Sequence, residues 1–278
     1  MNISISFEIF MQPDNIPATI TKSKTITSAF LQREVIIDFY FPSSNKNKKG
    51  VNLLLINDGQ DLRTMKFENI LEALSAEIVP LLCVGIHCGE DRRNEYGTAN
   101  TLDYLGRGTK AGLYNRFIFE ELLPFIKKEF GISSFKEKSF CGFSLGGLSA
   151  LDIVWNHAKE FVKVGAFSGS FWWRSVSQDA PEFSEEEHRI MHREIRNGEY
   201  YPWLKFYFET GTLDELADRN NNGIIDSIDD TLSLINELVK KGYNPETDIS
   251  YTELKDGYHD VATWARAIPD FLKWGWAK

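Results

Sequence analysis

The chain has 278 residues, 42% hydrophobic and 26% charged, with 9 prolines, a composition that excludes disordered, collagen-like and fibrous classes. This length suits one large α/β domain, expected to span residues 1–278. A net charge of -9 repels phosphate backbones and anionic lipid headgroups, so neither nucleic acid nor a membrane is an expected partner.

Residues 1–10 alternate polar and apolar side chains and lack the basic start and apolar core of a signal peptide. No apolar run approaches the roughly 18 residues of a membrane span. A cytoplasmic location is the expectation, unless a leader has been removed. Residues 3–10 and 25–41 read as antiparallel strands, and Lys46, Lys48 and Lys49 as a solvated turn closing at Gly50.

From Val51 the pattern becomes continuous apolar runs at residues 51–56, 79–86, 138–143, 162–167, 204–209 and 249–254. Such runs are strands buried on both faces of a parallel sheet. Helical spacing fills the intervals at residues 67–77, 113–130, 145–156, 231–241 and 261–274, with Gly131 and Gly242 as C-caps. Strand and helix in alternation predict an α/β fold with a mainly parallel sheet and helices on both faces. Residues 168–203 break the rhythm with many aromatics around a polar helix at 184–196 and read as a small cap insertion. Cys83, Cys88 and Cys141 are an odd set, two of them within apolar strands, which disfavours a disulfide framework.

Cys141-Gly142-Phe143-Ser144-Leu145-Gly146-Gly147 satisfies G-x-S-x-G between an apolar strand and a helix, the context of a nucleophile elbow. The turn strains the serine and crowds backbone on both sides, so glycine is needed two positions before and after. A seryl hydroxyl needs a neighbouring imidazole to take its proton. His259, in Asp256-Gly257-Tyr258-His259-Asp260 after the last strand, has the expected chain order. His87 precedes the serine and reads as a hydrogen-bonded loop residue; His157 ends a helix; His188 and His192, four apart, read as a solvated face. Asp214, in Thr210-Gly211-Thr212-Leu213-Asp214, is the chosen acid, with Glu209, Glu215 and a helix-capping role for Asp214 as alternatives.

The oxyanion donors expected are the N–H groups of Leu145, at a helix start, and Gln60, after the turn Asn57-Asp58-Gly59. Arg92 could meet a polar part of a substrate. Phe171, Trp172 and Trp173 could line an acyl or aryl pocket, or pack the insertion on the core.

Residues 218–229 reproduce the spacing of an EF-hand loop, with oxygen side chains at positions 1, 3, 5, 9 and 12 and glycine at 6. Asp218, Asn220, Asn222, the Ile224 carbonyl, Asp226 and Asp229 would ligate a structural Ca2+ beside Asp214; no organic cofactor is expected. Aspartate at position 12 and two neutral asparagines predict lower affinity than a high-charge site.

These motifs resemble a serine esterase family of α/β-hydrolases that includes enterobactin esterases, esterase D, feruloyl and acetylxylan esterases and mycolyltransferases. The resemblance covers roughly residues 30–275. It rests on Asp58-Gly59-Gln60, on Arg92 to Tyr96, on Glu121 to Ile126, on the elbow at Ser144, on Gly211 to Asp214, and on Gly257 to Asp260 with Trp264 behind. It implies the α/β-hydrolase fold and hydrolysis of a small-molecule ester by Ser144, His259 and Asp214. Acyl transfer to a sugar or alcohol, or a calcium-stabilised binding module without turnover, are the rival readings; the oligomeric state is not legible.

Overall fold

The computed structural model describes residues 19–42 and 50–278. The strand expected at 3–10 and the lysines of the 46–49 turn lie outside them. Antiparallel β1 (Thr19–Ser28) and β2 (Arg33–Pro42) are joined by a short turn with Gln32 at φ 53°. Then follow β3 (Asn52–Asn57), a 3-10 turn at Gly59–Leu62, α1 (Phe67–Ala73), β4 (Leu81–Ile86), α2 (Arg92–Glu95) and α3 (Ala111–Arg116). A π-helical stretch, Phe117–Leu122, leads into α4 (Leu123–Phe130), β5 (Lys138–Phe143), α5 (Leu145–Asn156) and β6 (Lys163–Phe167). The chain ends with α6 (Glu185–His188), α7 (Ile190–Asn197), β7 (Lys205–Leu213), α8 (Asp226–Lys241), β8 (Ile249–Tyr258) and α9 (Val261–Trp276).

The eight strands form one sheet in the order β1-β2-β4-β3-β5-β6-β7-β8, parallel from β4 to β8, with β2 antiparallel to β4. Every residue of β3 and β4 is buried, as strands covered on both faces must be. One core layer gathers apolar residues of α3, α4, α5, α7 and α8; the other gathers those of α1 and α9. This is the α/β-hydrolase-like arrangement expected from the alternating runs. Gly131 and Gly242 both cap helices in the left-handed region.

Three expectations need correction. The helix at 113–130 is interrupted by the π-helical stretch, with Pro124, which has no N–H to donate, in the first turn of α4. The polar helix at 184–196 is two short helices broken at Arg189, which bridges to Arg174. Helix α8 starts at Asp226 rather than Thr231, so the last four residues of the calcium-type loop are already helical.

Strands β7 and β8 also run further than their apolar cores. Leu213 pairs with Tyr258 beyond an irregularity at Gly211. A Cβ on Gly211 would lie 2.3 Å from the Gly257 carbonyl oxygen, so only a strand without side chains there can close up. That closure brings the segments carrying Asp214 and His259 to the carboxyl edge of the sheet, where the charge of each acts on the other.

Candidate functional site

Ser144 sits between β5 and α5 at φ 54°, ψ -121°, a conformation costly for a residue with a side chain. Its N–H donates to the Phe167 carbonyl at 2.8 Å. A Cβ on Gly142 would meet the Gly146 carbonyl oxygen at 2.3 Å, and one on Gly146 the Asp58 carboxylate at 2.5 Å. The two glycines are therefore what allows the bend, and the bend lifts the serine hydroxyl off the sheet.

Ser144 Oγ lies 2.9 Å from His259 Nε2. The imidazole keeps an exposed face and packs edge-on against Trp264, with ring centroids 5.4 Å apart. Partial burial holds its pKa below the ordinary 6.5; the Asp214 carboxylate opposes that shift and the Arg92 guanidinium reinforces it. Burial raises the Asp214 carboxyl, with the Ser168 hydroxyl and His259 pulling the other way. Asp214 Oδ1 accepts from Ser168 Oγ at 3.2 Å, while Oδ2 is buried without a hydrogen-bond partner among the described residues.

Of the three carboxylates left open, Asp214 is the one whose charge acts on His259. Glu209 lies deeper, both oxygens buried without hydrogen-bond partners among the described residues, its pKa pushed up to about 8 by burial and then by Asp214. The Glu215 carboxyl is raised by burial and interacts with the Ser227 backbone. Asp214 caps no helix, since α8 begins only at Asp226 with Ile225 before it.

Leu145 opens α5, and Gln60 stands in the first turn of the 3-10 helix that follows left-handed Asp58. N–H groups at such helix starts have no intrahelical acceptor. The Gln60 side chain is occupied, accepting from the Cys88 N–H at 3.2 Å.

Arg92, expected to meet a polar part of a substrate, is partly exposed and already engaged within the protein. Two of its nitrogens hold Asp58 at 2.7 Å each, and one reaches the Phe143 carbonyl at 3.3 Å. It clasps the end of β3 to the end of β5 beneath Ser144, because the buried Asp58 carboxylate demands a cation.

The aromatic trio divides. Phe171 and Trp173 are fully buried and belong to the core, which overturns their pocket role; Trp172 is only partly buried, with Arg107 stacked on it at 5.2 Å.

His87 Nε2 is 2.9 Å from buried Asp38, consistent with a hydrogen-bonded loop histidine. His188 Nδ1 accepts from the Ser184 N–H at 2.9 Å. His192 is fully buried against α8, at 3.0 Å from the Asp230 carbonyl and from Ser233 Oγ. The solvated histidine face is thus corrected: the break at Arg189 turns the second residue inward.

In the 218–229 loop, Asn221 and Gly223 take left-handed conformations. The Asp218 carboxylate accepts from the Asn222 and Gly223 N–H groups at 3.1 and 2.9 Å, and the Asn220 amide donates to Asp229 at 3.0 Å. Asn222 Oδ1 accepts from the Ile224 N–H at 2.8 Å. Asp226 turns to Arg219, whose N–H and guanidinium lie at 2.9 and 3.1 Å. Among the described residues no group of three or more His, Cys, Asp or Glu side chains is gathered for a metal; the loop's oxygen set depends on its asparagines and a carbonyl.

Two site residues escaped the sequence reading. Ser170 Oγ lies 3.4 Å from Ser144 Oγ, and its N–H donates to the Ser144 carbonyl at 3.1 Å. Ser168 contacts both Asp214 and Trp264. The signal was Ser168-Gly169-Ser170 at the end of an apolar strand, small polar residues where a side chain overhangs the sheet edge.

Among the described residues, no helix is long and apolar enough to cross a membrane. The Esterase family, described as "Putative esterase", matches residues 28–274. Uncharacterized protein YbbA of Bacillus subtilis (strain 168) is 25% identical over 143 residues, 49% of this chain and 57% of that protein. A ferulic acid esterase structure superposes with a TM-score of 0.67 at 17% identity, covering 92% of this chain and 97% of that one. Enterobactin esterase FES from Shigella flexneri, solved with enterobactin, gives 0.69 at 19%, covering 91% and 58%. This chain thus spans less than two thirds of the length of YbbA and of FES. With nearly its whole length matched by the family model, the chain belongs to the Esterase family.

Proposed function

We propose that the chain hydrolyses a small-molecule ester through an acyl-enzyme on Ser144. The observation that carries this is the 2.9 Å contact between Ser144 Oγ and His259 Nε2 at a strained elbow. In this reading Ser144 Oγ attacks the ester carbonyl carbon and its proton passes to His259 Nε2. The developing oxyanion is met by the N–H groups of Leu145 and Gln60. Collapse expels the alcohol, protonated by His259, and water then repeats the sequence to release the acid. Asp214, with Oδ2 unpartnered, would take the imidazole Nδ1–H and stabilise the imidazolium.

Hydrolysis rather than transfer to an acceptor is supported by the exposure of His259 and Asp260, which leaves the base open to water. An aromatic acyl group is supported by the half-buried Trp172 and the exposed Tyr258 beside His259, and agrees with the aromatic acid named for the ferulic acid esterase relative. Turnover of an ester panel with feruloyl, siderophore and acetyl-sugar members, by the parent and Ser144→Ala, tests the reading. Loss of all hydrolysis is expected; turnover retained by Ser144→Ala removes the nucleophile assignment.

We also propose that the 218–229 loop binds Ca2+ as a structural ion. Asp218, Asn220, Asn222, the Ile224 carbonyl, Asp226 and Asp229 would hold it, with Asp226 released from Arg219. Support comes from the Asp218 carboxylate folded back over the loop and from Asn220 already touching Asp229. The ion would supply no chemistry to the reaction, only rigidity beside Asp214.

A further inference from the structure

Building on the Ser144–His259–Asp214 reading, we propose that Ser168 is a positioning residue: its hydroxyl, oriented by the Trp264 indole, fixes Asp214 so that one carboxylate oxygen remains for the imidazole.

Ser168 follows β6, the strand between the one that leads to Ser144 and the one that leads to Asp214. It is 2% exposed, sits at φ 45°, and anchors its N–H on the Glu209 carbonyl at 2.7 Å. The direction of its hydroxyl follows from the partners. Trp264 Nε1 lies 2.9 Å from Ser168 Oγ, and an indole nitrogen can only donate. Ser168 Oγ must therefore accept from Trp264, and its single proton is left for Asp214 Oδ1 at 3.2 Å.

The same indole packs edge-on against His259 and stacks on Phe143 at 5.2 Å. One side chain thus touches the base directly and reaches the acid through Ser168. Asp214 Oδ2 stays without a hydrogen-bond partner among the described residues. A carboxylate hydrogen-bonded at one oxygen is restrained against rotation, so the chain Trp264–Ser168–Asp214 biases the orientation on which the base depends. A hydroxyl that merely satisfied the indole would have no effect on His259.

The test uses the full chain with Ser168→Gly, since glycine adopts φ 45° without strain, and Trp264→Phe, which keeps the ring and deletes the donor. Steady-state hydrolysis of an aryl ester is followed against pH, with unfolding measured in parallel. The charged groups acting on His259 are Asp214 from the end of β7, Arg92 from α2 and Asp260 before α9; Asp260 also acts on Asp214, and Asp214 in turn on Glu209. Ser168→Gly is expected to lower kcat about ten- to a hundred-fold, the range of one hydrogen bond to a charged group, with KM little changed. The acid limb of kcat/KM should move to lower pH, because the imidazolium loses a fixed counter-charge. Trp264→Phe should shift both in the same direction by less.

Unchanged kcat in a folded Ser168→Gly overturns the proposal. So does a fall in kcat with the acid limb unmoved, which is the signature of a purely structural hydroxyl. If Ser144→Ala is inert while Ser168→Gly is unimpaired, the positioning role alone fails; if Ser144→Ala still turns over, the underlying reading fails.

Discussion

Replacing Glu209 by glutamine should flatten the pH dependence of stability over a defined window. The Glu209 side chain lies in the middle of β7 with neither oxygen hydrogen-bonded among the described residues, and its pKa is pushed up from the ordinary 4.5 to about 8 by burial, then by the Asp214 charge, with Arg266 opposing. The folded protein therefore binds a proton that the unfolded chain has released between those two values. Stability from this group is fully present below pH about 4.5 and is lost as pH rises toward 8. At about 1.4 kcal/mol per pK unit, the whole effect is on the order of 5 kcal/mol at most. That corresponds to roughly 2–4 °C of Tm per kcal/mol for a chain of this size.

Asp152, fully buried and also raised to about 8 by burial and then by Glu194, adds a slope of the same sign, so the informative quantity is the difference between variant and parent. Urea unfolding of Glu209→Gln and parent at half-unit steps from pH 5 to 8.5 should give curves that converge or cross as pH rises, the amide losing nothing on deprotonation. Parallel curves would refute the reasoning and would mean that Glu209 is already ionised at pH 5.

Three further outcomes are expected. The kcat/KM of ester hydrolysis should rise with pH through an inflection below 6.5, because burial lowers the His259 pKa and only the neutral ring accepts the serine proton; an inflection above 7 would contradict it. Arg92→Ala should destabilise the protein by about 3–5 kcal/mol in urea unfolding, since it strands the buried Asp58 carboxylate. It should also move that inflection upward, and Arg92→Lys should restore little, an ammonium being unable to bridge both oxygens. Added Ca2+ at about a hundred times its Kd should raise stability by about 2.7 kcal/mol relative to chelator, and Asp218→Ala should erase the difference; equal Tm values with and without chelator would dismiss the calcium loop.

The elements most legible in the sequence were those fixed by burial on both faces. β3, β5 and α5 lie where apolar runs and helical spacing place them, because a strand or helix surrounded by core has no solvent face to confuse the period. The elbow was legible for a different reason: two close backbone approaches admit only glycine, and that requirement is written in the chain.

What was not legible depends on tertiary placement. Beyond their apolar cores, β7 and β8 continue through Gly211 and Gly257, residues that read as loop, because those two backbones pair where no side chain intervenes. Phe171 and Trp173 carry the same composition whether they line a pocket or fill a core, and only their complete burial decides it. Arg92 reads as a free cation until Asp58 is brought beneath it from another strand. Ser168 and Ser170 acquire partners only when β5, β6 and β7 lie side by side.

The most direct test of the central claim is the site of covalent capture. Incubation of the protein with a fluorophosphonate ester, followed by peptide mapping in a mass spectrometer, should place a single phosphonyl adduct on the peptide containing Ser144, formed slowly or not at all in His259→Ala. A protein that hydrolyses esters yet carries no adduct at Ser144, or carries it at Ser168 or Ser170, would contradict the account.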